Sequence, residues 1–258
     1  NARLSELNER KSEIVSCVSH ELRTPLTTIK TMATLLQGGD LDDAGRAECL
    51  EVLIAECDRQ TDLVLNLLDL AGIESGSFSY DRTPVDVELV LAECLRVERH
   101  GAEARGHRMV GDIEPGLPLV LGDRAALRRV LCVLIENAIK YTPRGGTIVV
   151  SARAEDDGVR VAVQDTGIGI HPDDLPPIFD KFFRARRTHL KTLLGAESSL
   201  ASGVGLGLYL ARTIVEQLGG RIFAESALGE GSTFSFVLPA WRPEDDTIGE
   251  YAEETTGS

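Results

Sequence analysis

The sequence predicts an α+β protein: an N-terminal helical hairpin that forms a dimeric four-helix bundle, followed by an α/β sandwich domain. Two observations lead to this prediction. Apolar residues recur at spacings of three and four over residues 1–72, as on amphipathic helices. From about residue 84, helical patterns are mixed with short alternating runs and glycine turns. Such mixtures usually pack helices against one sheet.

A single long helix is predicted from residue 1 to about residue 37, where Gly38 and Gly39 end it. Its apolar spacing continues past Pro25. An interior proline costs about 3 kcal/mol and clashes with the carbonyl four residues earlier, here that of Glu21. We therefore expect the helix to bend at Pro25. The energetic cost of an interior proline is easier to understand at a functional position than elsewhere.

A second amphipathic helix follows and extends to about Ala71. Because the connection is short, the two helices are predicted to form an antiparallel hairpin. One hairpin has too little core to stand alone, so its heptad-like stripe predicts a homodimer. Residues 73–83, which contain Gly76 and three serines, are interpreted as a linker.

The second half is predicted to combine helices and strands. Asp86 has the position of a helix N-cap, and Asp156-Asp157-Gly158 has the composition of a turn. Helices lying against one mixed sheet would make the sandwich. The predicted helices cover residues 86–100, 123–140 and 206–218, and the predicted strands cover residues 108–113, 147–153, 159–164, 221–225 and 232–238.

Composition narrows the class of protein. The 258 residues are 43% hydrophobic and 26% charged, as in soluble globular proteins. No apolar run approaches the roughly 18 residues of a spanning helix. The net charge of −14 argues against a nucleic-acid surface, so no nucleic-acid partner is expected. Part of that charge lies in residues 241–258, which are interpreted as a disordered acidic tail.

The five cysteines form no C-x-x-C pair and lie within helical patterns. They are predicted to be buried, reduced thiols of a cytosolic protein.

The run from Ser19 to Leu26, SHELRTPL, is the most informative part of the first helix. Helical spacing places His20 and Thr24 on one face, with Glu21 beside them. Near neutral pH the imidazole is mostly uncharged and the carboxylate is ionised. A carboxylate bonded to one ring nitrogen leaves the other free as a nucleophile. By itself, the run would more often be a solvated surface histidine before a helix-ending proline, and the rest of the chain must overturn that interpretation.

Two motifs of the second half suggest a nucleotide. On the helix that ends near residue 140, Asn137 and Lys140 share one face and Glu136 is adjacent. An amide oxygen suits Mg²⁺, and a lysine suits phosphate.

The second motif, Asp165-x-Gly167-x-Gly169, follows a strand. There a carboxylate can accept a hydrogen bond from an exocyclic amine such as adenine's, and glycines allow close backbone approach. Taken alone, the residues near 137 could be an ordinary polar helix face, and the glycine motif after Asp165 could be an ordinary turn.

A third motif, Gly203-x-Gly205-x-Gly207, opens a predicted helix. Glycine amides at a helix N-terminus form an anion cradle. The spacing is neither that of a dinucleotide fingerprint nor that of a Walker loop. Together, a metal-binding amide, an adenine carboxylate and a phosphate nest predict one nucleotide site.

The order of these motifs resembles the cytoplasmic core of bacterial sensor histidine kinases. The resemblance covers roughly residues 10–240. It implies a dimerisation and histidine phosphotransfer domain over residues 1–72, and a catalytic ATP-binding domain of the GHKL type, shared with gyrase and heat-shock chaperone ATPases, over residues 84–240. It also implies a cytoplasmic location, with any anchor in the inner membrane lying in regions absent from this fragment.

The resemblance implies ATP-dependent autophosphorylation of His20 and transfer to an aspartate of a response-regulator receiver domain. Glu21 resembles the neighbouring acid/base. Thr24 resembles the hydroxyl that positions water when the regulator is dephosphorylated.

The resemblance assigns the nucleotide residues one by one. Asn137, with Glu136, would bind Mg²⁺, and Asp165 would read adenine. Phe179 and Phe182 would form the hinge before the lid. The other residues expected to contact ATP are Lys140, Tyr141, Gly167, Gly169, Arg184, Gly203, Gly205, Gly207, Leu208 and Thr233.

Two departures from the family pattern stand out. Val133 occupies the place of a second asparagine, so metal binding would depend more on Asn137. Residues 184–202 are long for an ATP lid and carry several leucines. Two other functions stay open: an ATPase clamp without phosphohistidine, disfavoured by the His20 run, and a catalytically silent dimeric scaffold, for which Val133 is the only indication.

Overall fold

The computed structural model describes residues 2–39, 41–75, 80–185 and 204–243. The chain divides into a helical unit, with residues 2–75 and 204–206, and an α/β unit, with residues 80–185 and 207–243. Residues 186–202 of the predicted lid, Gly203, and residues 244–258 of the predicted tail lie outside the described residues. In the described part, no helix has the length and apolar character needed to cross a bilayer.

The helical unit is a hairpin of α1 (Ala2–Gly38) and α2 (Asp43–Glu74). As the apolar spacing predicts, α1 continues through Pro25, which is buried. Asp42 caps α2 by accepting a hydrogen bond from the Gly45 backbone N–H at 2.8 Å. α2 ends at Glu74, past the predicted limit at Ala71.

Apolar surface stays uncovered on this hairpin. Leu68 is 62% exposed and Ile54 is 58% exposed, although both belong to the predicted apolar stripe of α2. On α1, Leu26 is 56% exposed. Such a surface is typical of helices that pair with another chain.

The α/β unit is built on a mixed sheet, as predicted. Its described strands lie in the order β2-β4-β5-β7-β6, with β2 and β4 parallel and the other pairs antiparallel. A small second sheet pairs β1 with β3. The strands are β1 (Thr83–Val85), β2 (Arg108–Ile113), β3 (Val120–Gly122), β4 (Thr147–Glu155), β5 (Gly158–Asp165), β6 (Arg221–Ala227) and β7 (Gly231–Pro239).

The described helices of this unit are α3 (Val87–Ala104), α4 (Arg124–Tyr141) and α5 (Gly207–Gln217). Asp86 caps α3, as predicted, and Asp123 caps α4 by accepting from the Ala126 N–H at 3.0 Å. α4 is central because it packs against both other helices and against β4 and β5. The residues predicted to bind metal and phosphate at its C-terminal end therefore lie on a well-packed element. Its fully buried residues include Leu127, Leu131, Leu134 and Ile135.

The predicted strands and helices of this unit are confirmed to within a few residues at their ends. The β1–β3 sheet was not predicted. Each of its strands has only three residues, and one includes Pro84, so neither carries a readable alternation.

Candidate functional site

Asp165 is a buried carboxylate of the α/β unit. It ends β5, opposite Ser232 of β7, and only 5% of it is exposed. Its Oδ1 accepts a hydrogen bond from the Gly167 backbone N–H at 2.7 Å. Burial raises the pKa of this carboxyl, while hydrogen bonds from the Gly167 and Ser232 backbones lower it. A buried carboxylate is costly to maintain, so its presence suits a group that recognises a ligand.

The loop after Asp165 is closed by glycines that leave no room for a side chain. A Cβ on Gly167 would lie 2.5 Å from Asp165 Oδ1 and 2.6 Å from the Tyr141 carbonyl oxygen. Gly169 has φ +67°, and its Cβ would lie 2.0 Å from the Ala227 carbonyl oxygen. Both positions therefore require glycine.

Backbone hydrogen bonds fix this loop to two neighbours. The Ile168 N–H donates to the Tyr141 carbonyl at 3.2 Å, which ties the loop to the end of α4. The Gly229 N–H donates to the Ile168 carbonyl at 2.8 Å, which ties it to the turn between β6 and β7. Asp165 and the last turn of α4 are thus held together.

The end of α4 presents the predicted metal and phosphate residues. Glu136 is exposed, and Asn137 is half-buried. The Lys140 Nζ lies 5.1 Å from the centroid of the Tyr141 ring. Burial raises the pKa of Tyr141, and the charge of Arg184 partly offsets this. The structure therefore brings Lys140, Tyr141 and Arg184 together beside the Asp165 loop.

The side-chain oxygens of Asn137 and Glu136 are of the chemical type that binds Mg²⁺. Both offer hard oxygens, which magnesium prefers. Among the described residues, no group of three or more His, Cys, Asp and Glu side chains is arranged to hold a metal. Mg²⁺ commonly takes one or two protein ligands and completes its shell with water and substrate phosphates.

Gly207 begins α5 directly against Val133 of α4. A Cβ on Gly207 would lie 3.2 Å from Val133 Cγ1, so the valine packs under the first turn of α5. Gly205, two residues earlier, has φ +73°. Leu208 is half-buried and packs on the core. Val133 therefore has a packing role where the family pattern would place a second amide.

The strand register separates Thr233, which was predicted to contact ATP, from Asp165. Thr233 pairs with Gln164, and Ser232 pairs with Asp165. Successive residues of a strand point to opposite faces, so Thr233 lies on the face away from Asp165. Ser232 lies on the same face as Asp165; it is 8% exposed and its Oγ lies 3.0 Å from the Ser226 Oγ. The alternation of Phe234, Phe236 and Leu238, all buried in the core, is the signal that would have identified Ser232.

The segment before the predicted lid is anchored by aromatic residues. Phe179 is buried and meets Phe234 edge-to-face, with ring centroids 6.1 Å apart. The Lys181 Nζ lies 5.4 Å from the Phe182 ring and 5.9 Å from the Tyr209 ring. Phe182 has φ 63°, which is rare for a residue with a large side chain. Strain at this point is consistent with a hinge.

In the helical unit, His20 belongs to α1, and its side chain lies outside what the structure describes. Its neighbour Glu21 is 11% exposed, and its Oε2 lies 3.7 Å from an Arg59 guanidinium nitrogen of α2. Gln60 Nε2 donates to the Leu22 carbonyl at 2.9 Å. These α2 residues were not predicted, since they lie about 38 positions away in sequence.

Thr24, one helical turn after His20, is exposed on the hairpin. Beside it, an open groove runs along α1. The groove is lined by Ser19, Leu22, Arg23, Leu26, Thr27 and Lys30.

Comparison with known families matches both units. Residues 10–76 match the His Kinase A (phospho-acceptor) domain. Residues 122–242 match the family described as histidine kinase-, DNA gyrase B- and HSP90-like ATPase. The two matches together cover His20, Asn137 and Asp165.

Known proteins agree with these matches. Drug sensory protein A of Synechocystis is 38% identical over 250 residues, or 92% of this chain and 36% of the relative. Histidine protein kinase DivJ of Caulobacter vibrioides is 33% identical over 89% of this chain and 37% of the relative. The chain therefore spans little more than a third of the length of either relative.

Solved structures share the fold. Full-length ShkA in complex with AMPPNP has a TM-score of 0.62 and 28% identity, and the match covers 90% of this chain and 47% of ShkA. ThkA in complex with the response regulator protein TrrA has a TM-score of 0.63 and 23% identity, with 93% of this chain and 64% of that chain covered.

Proposed function

This chain belongs to the bacterial sensor histidine kinases, and from that premise we propose that it transfers the γ-phosphoryl group of ATP to His20. The phosphoryl group then passes to an aspartate of a receiver domain. The observation that carries the proposal is the buried Asp165 carboxylate, held against the end of α4 in the same chain as a phospho-acceptor helix.

Asp165 recognises adenine in this proposal. Its carboxylate accepts a hydrogen bond from the exocyclic amine, and Gly167 and Gly169 let the base approach the backbone. Tyr141 and Lys140 line the nucleotide, and Arg184 adds positive charge near the phosphates. The glycines before α5 (Gly203, Gly205, Gly207) and Leu208 form the phosphate side, where backbone N–H groups favour anions.

Asn137 and Glu136 are the residues that would hold Mg²⁺. A bound Mg²⁺ neutralises charge on phosphate oxygens, which is much of what phosphoryl transfer requires. Because Val133 offers no oxygen, Asn137 has the larger share of this task. Lys140 contributes a further positive charge from the next turn of α4.

His20 is the nucleophile. One imidazole nitrogen forms the N–P bond as the bond between the γ-phosphorus and the β–γ bridging oxygen breaks, and ADP leaves. Glu21 accepts the imidazole proton, and Arg59 positions Glu21 from α2. Thr24 positions the water that later hydrolyses the phosphorylated regulator.

We assign residues 1–72 to dimerisation and phosphotransfer, 73–83 to a linker, 84–240 to ATP binding and 241–258 to an acidic tail. The exposed leucines and isoleucine of α1 and α2 support a homodimeric four-helix bundle. Docking of a receiver domain beside His20 belongs to the same proposal. Cytoplasmic location, with membrane contact only through regions outside this chain, is part of the same proposal.

Labelling with γ-labelled and α-labelled ATP tests the proposal. We expect label on the protein from γ-labelled ATP only, lost in acid and retained in base, and transferable to a receiver domain. Release of ADP without labelled protein would instead indicate an ATPase clamp. Failure to bind ATP with Mg²⁺ would indicate a silent scaffold.

A further inference from the structure

Two cysteines from different helices meet where α3 packs on α4. Cys94 of α3 is 2% exposed, Cys132 of α4 is half-buried, and a hydrogen bond joins their thiols. The proposed phosphotransfer uses neither thiol. Elsewhere in the described residues, Cys49 is buried but Cys57 is exposed, so the prediction of buried cysteines is wrong for Cys57.

Charged residues tie the same two helices together around this pair. Arg124 of α4 donates to Glu93 of α3 at 2.6 Å, next to Cys94 in sequence. Glu98 and Arg128 each lie one helical turn from one of the cysteines. Burial raises the pKa of Glu98, and the nearby Arg128 charge opposes this. The thiols are thus held in contact by rigid, packed elements.

We propose that Cys94 and Cys132 form a reversible disulfide when the protein meets a peroxide. A thiolate at Cys132 attacks the peroxide, the O–O bond breaks, and an alkoxide or hydroxide leaves while Cys132 becomes a sulfenic acid. The Cys94 sulfur then attacks the Cys132 sulfur, and the S–O bond breaks. The hydroxide takes up the Cys94 proton as water. Two thiols are oxidised to one disulfide, and one peroxide is reduced. The products are water and an alcohol, or two waters when the peroxide is hydrogen peroxide.

The environment gives the two cysteines different roles. Cys132 is the more accessible thiol, and the hydrogen bond from Cys94 lowers the pKa of Cys132 while raising that of Cys94. The Arg128 charge also lowers the pKa of Cys132, whereas burial, Glu98 and Glu136 oppose this. Reactive cysteines have thiolate character and solvent access. Cys132 therefore reacts first, and Cys94 resolves the sulfenic acid.

The cluster suits a disulfide better than a metal. A thiolate metal site needs at least a third ligand. In the part of the chain that the structure describes, no His, Cys, Asp or Glu completes such a set. A disulfide needs no third ligand: the two sulfurs close to about 2.05 Å when their Cα and Cβ atoms are near enough to be bridged.

Peptide mapping of the whole chain tests this inference. The reduced protein is treated with hydrogen peroxide, its remaining thiols are alkylated in denaturant, and it is digested with trypsin without reductant. The sequence yields Cys94 in residues 83–96 and Cys132 in residues 130–140. We expect these two peptides to be cross-linked in most of the oxidised protein and to separate, alkylatable again, after dithiothreitol.

Two variants sharpen the result. Cys132→Ser abolishes the cross-link, while Cys57→Ser, a change at an exposed cysteine of the other unit, leaves it intact. The inference is overturned if wild-type Cys94 and Cys132 stay alkylatable after peroxide. It is also overturned if Cys132 is driven to sulfinic acid without cross-linking to Cys94. Because peptide mapping detects a covalent cross-link, its result does not depend on whether the protein has kinase activity.

Discussion

Replacing Asp165 by asparagine isolates the proposed adenine contact. The substitution keeps the shape of the side chain but removes its charge. Oδ1 already accepts from the Gly167 N–H at 2.7 Å, so the asparagine oxygen is expected to stay on that side. Its NH₂ group then faces the adenine amine, and two donors meet where an acceptor is needed.

The loss follows from the burial of this carboxylate. A hydrogen bond to a charged group contributes about 1.5–3 kcal/mol. Because 1.4 kcal/mol corresponds to tenfold in affinity, the Kd for ATP should rise roughly 10- to 150-fold. Screening by solvent reduces this little, since only 5% of Asp165 is exposed.

Isothermal titration with ATP and Mg²⁺ measures this change. Asp156→Asn is the matched control because Asp156 is exposed in the turn at the other end of β5. The control should bind as wild type does. A Kd within twofold of wild type for a folded Asp165→Asn protein would refute the adenine assignment.

Three further predictions concern single residues. Burial holds the pKa of Asp165 above its usual value, so the contribution of this carboxyl to stability is fully present below the usual carboxyl pKa and is lost as pH rises through the raised pKa. In ligand-free melts, the stability of Asp165→Asn relative to wild type should therefore increase between pH 4 and pH 7. An equal difference from wild type at both pH values would contradict this. Gly167→Ala should lower the free energy of unfolding in urea by about 1–3 kcal/mol, because its Cβ would lie 2.5 Å from Asp165 Oδ1 and 2.6 Å from the Tyr141 carbonyl oxygen. Gly101→Ala should raise it by about 0.5–1 kcal/mol, because open space surrounds this position in α3. Similar effects at both sites would be inconsistent with the loop geometry. Thr24→Ala should slow dephosphorylation of the regulator and spare autophosphorylation of the kinase, both followed by label on gels; equal loss of the two would argue against its role.

Local patterns predicted most of the fold because they record which face of each element is buried. The apolar repeat of α4 predicted a helix within one residue of its observed ends, and Asp123 marked its start. The alternation in β4 and β5 predicted their pairing around the Asp156 turn. The short β1 and β3 strands carry no such repeat, and they pair only through contacts about 40 residues apart.

The candidate site shows the same limit. Asp165 and its glycines could be identified because they share one short loop. The contact between Arg59 and Glu21, and that between Cys94 and Cys132, join residues distant in sequence, where spacing carries no signal. Strand alternation does carry a signal for Thr233, because it places this residue on the opposite face of β7 from Ser232.

Locating the phosphate on the chain tests the central claim most directly. After incubation with ATP and Mg²⁺, trypsin at neutral to basic pH should release residues 12–23, which contain His20, with one added phosphate on that histidine. His20→Gln should carry none while still binding ATP. Phosphate found on another residue, or retained in His20→Gln, would contradict the account.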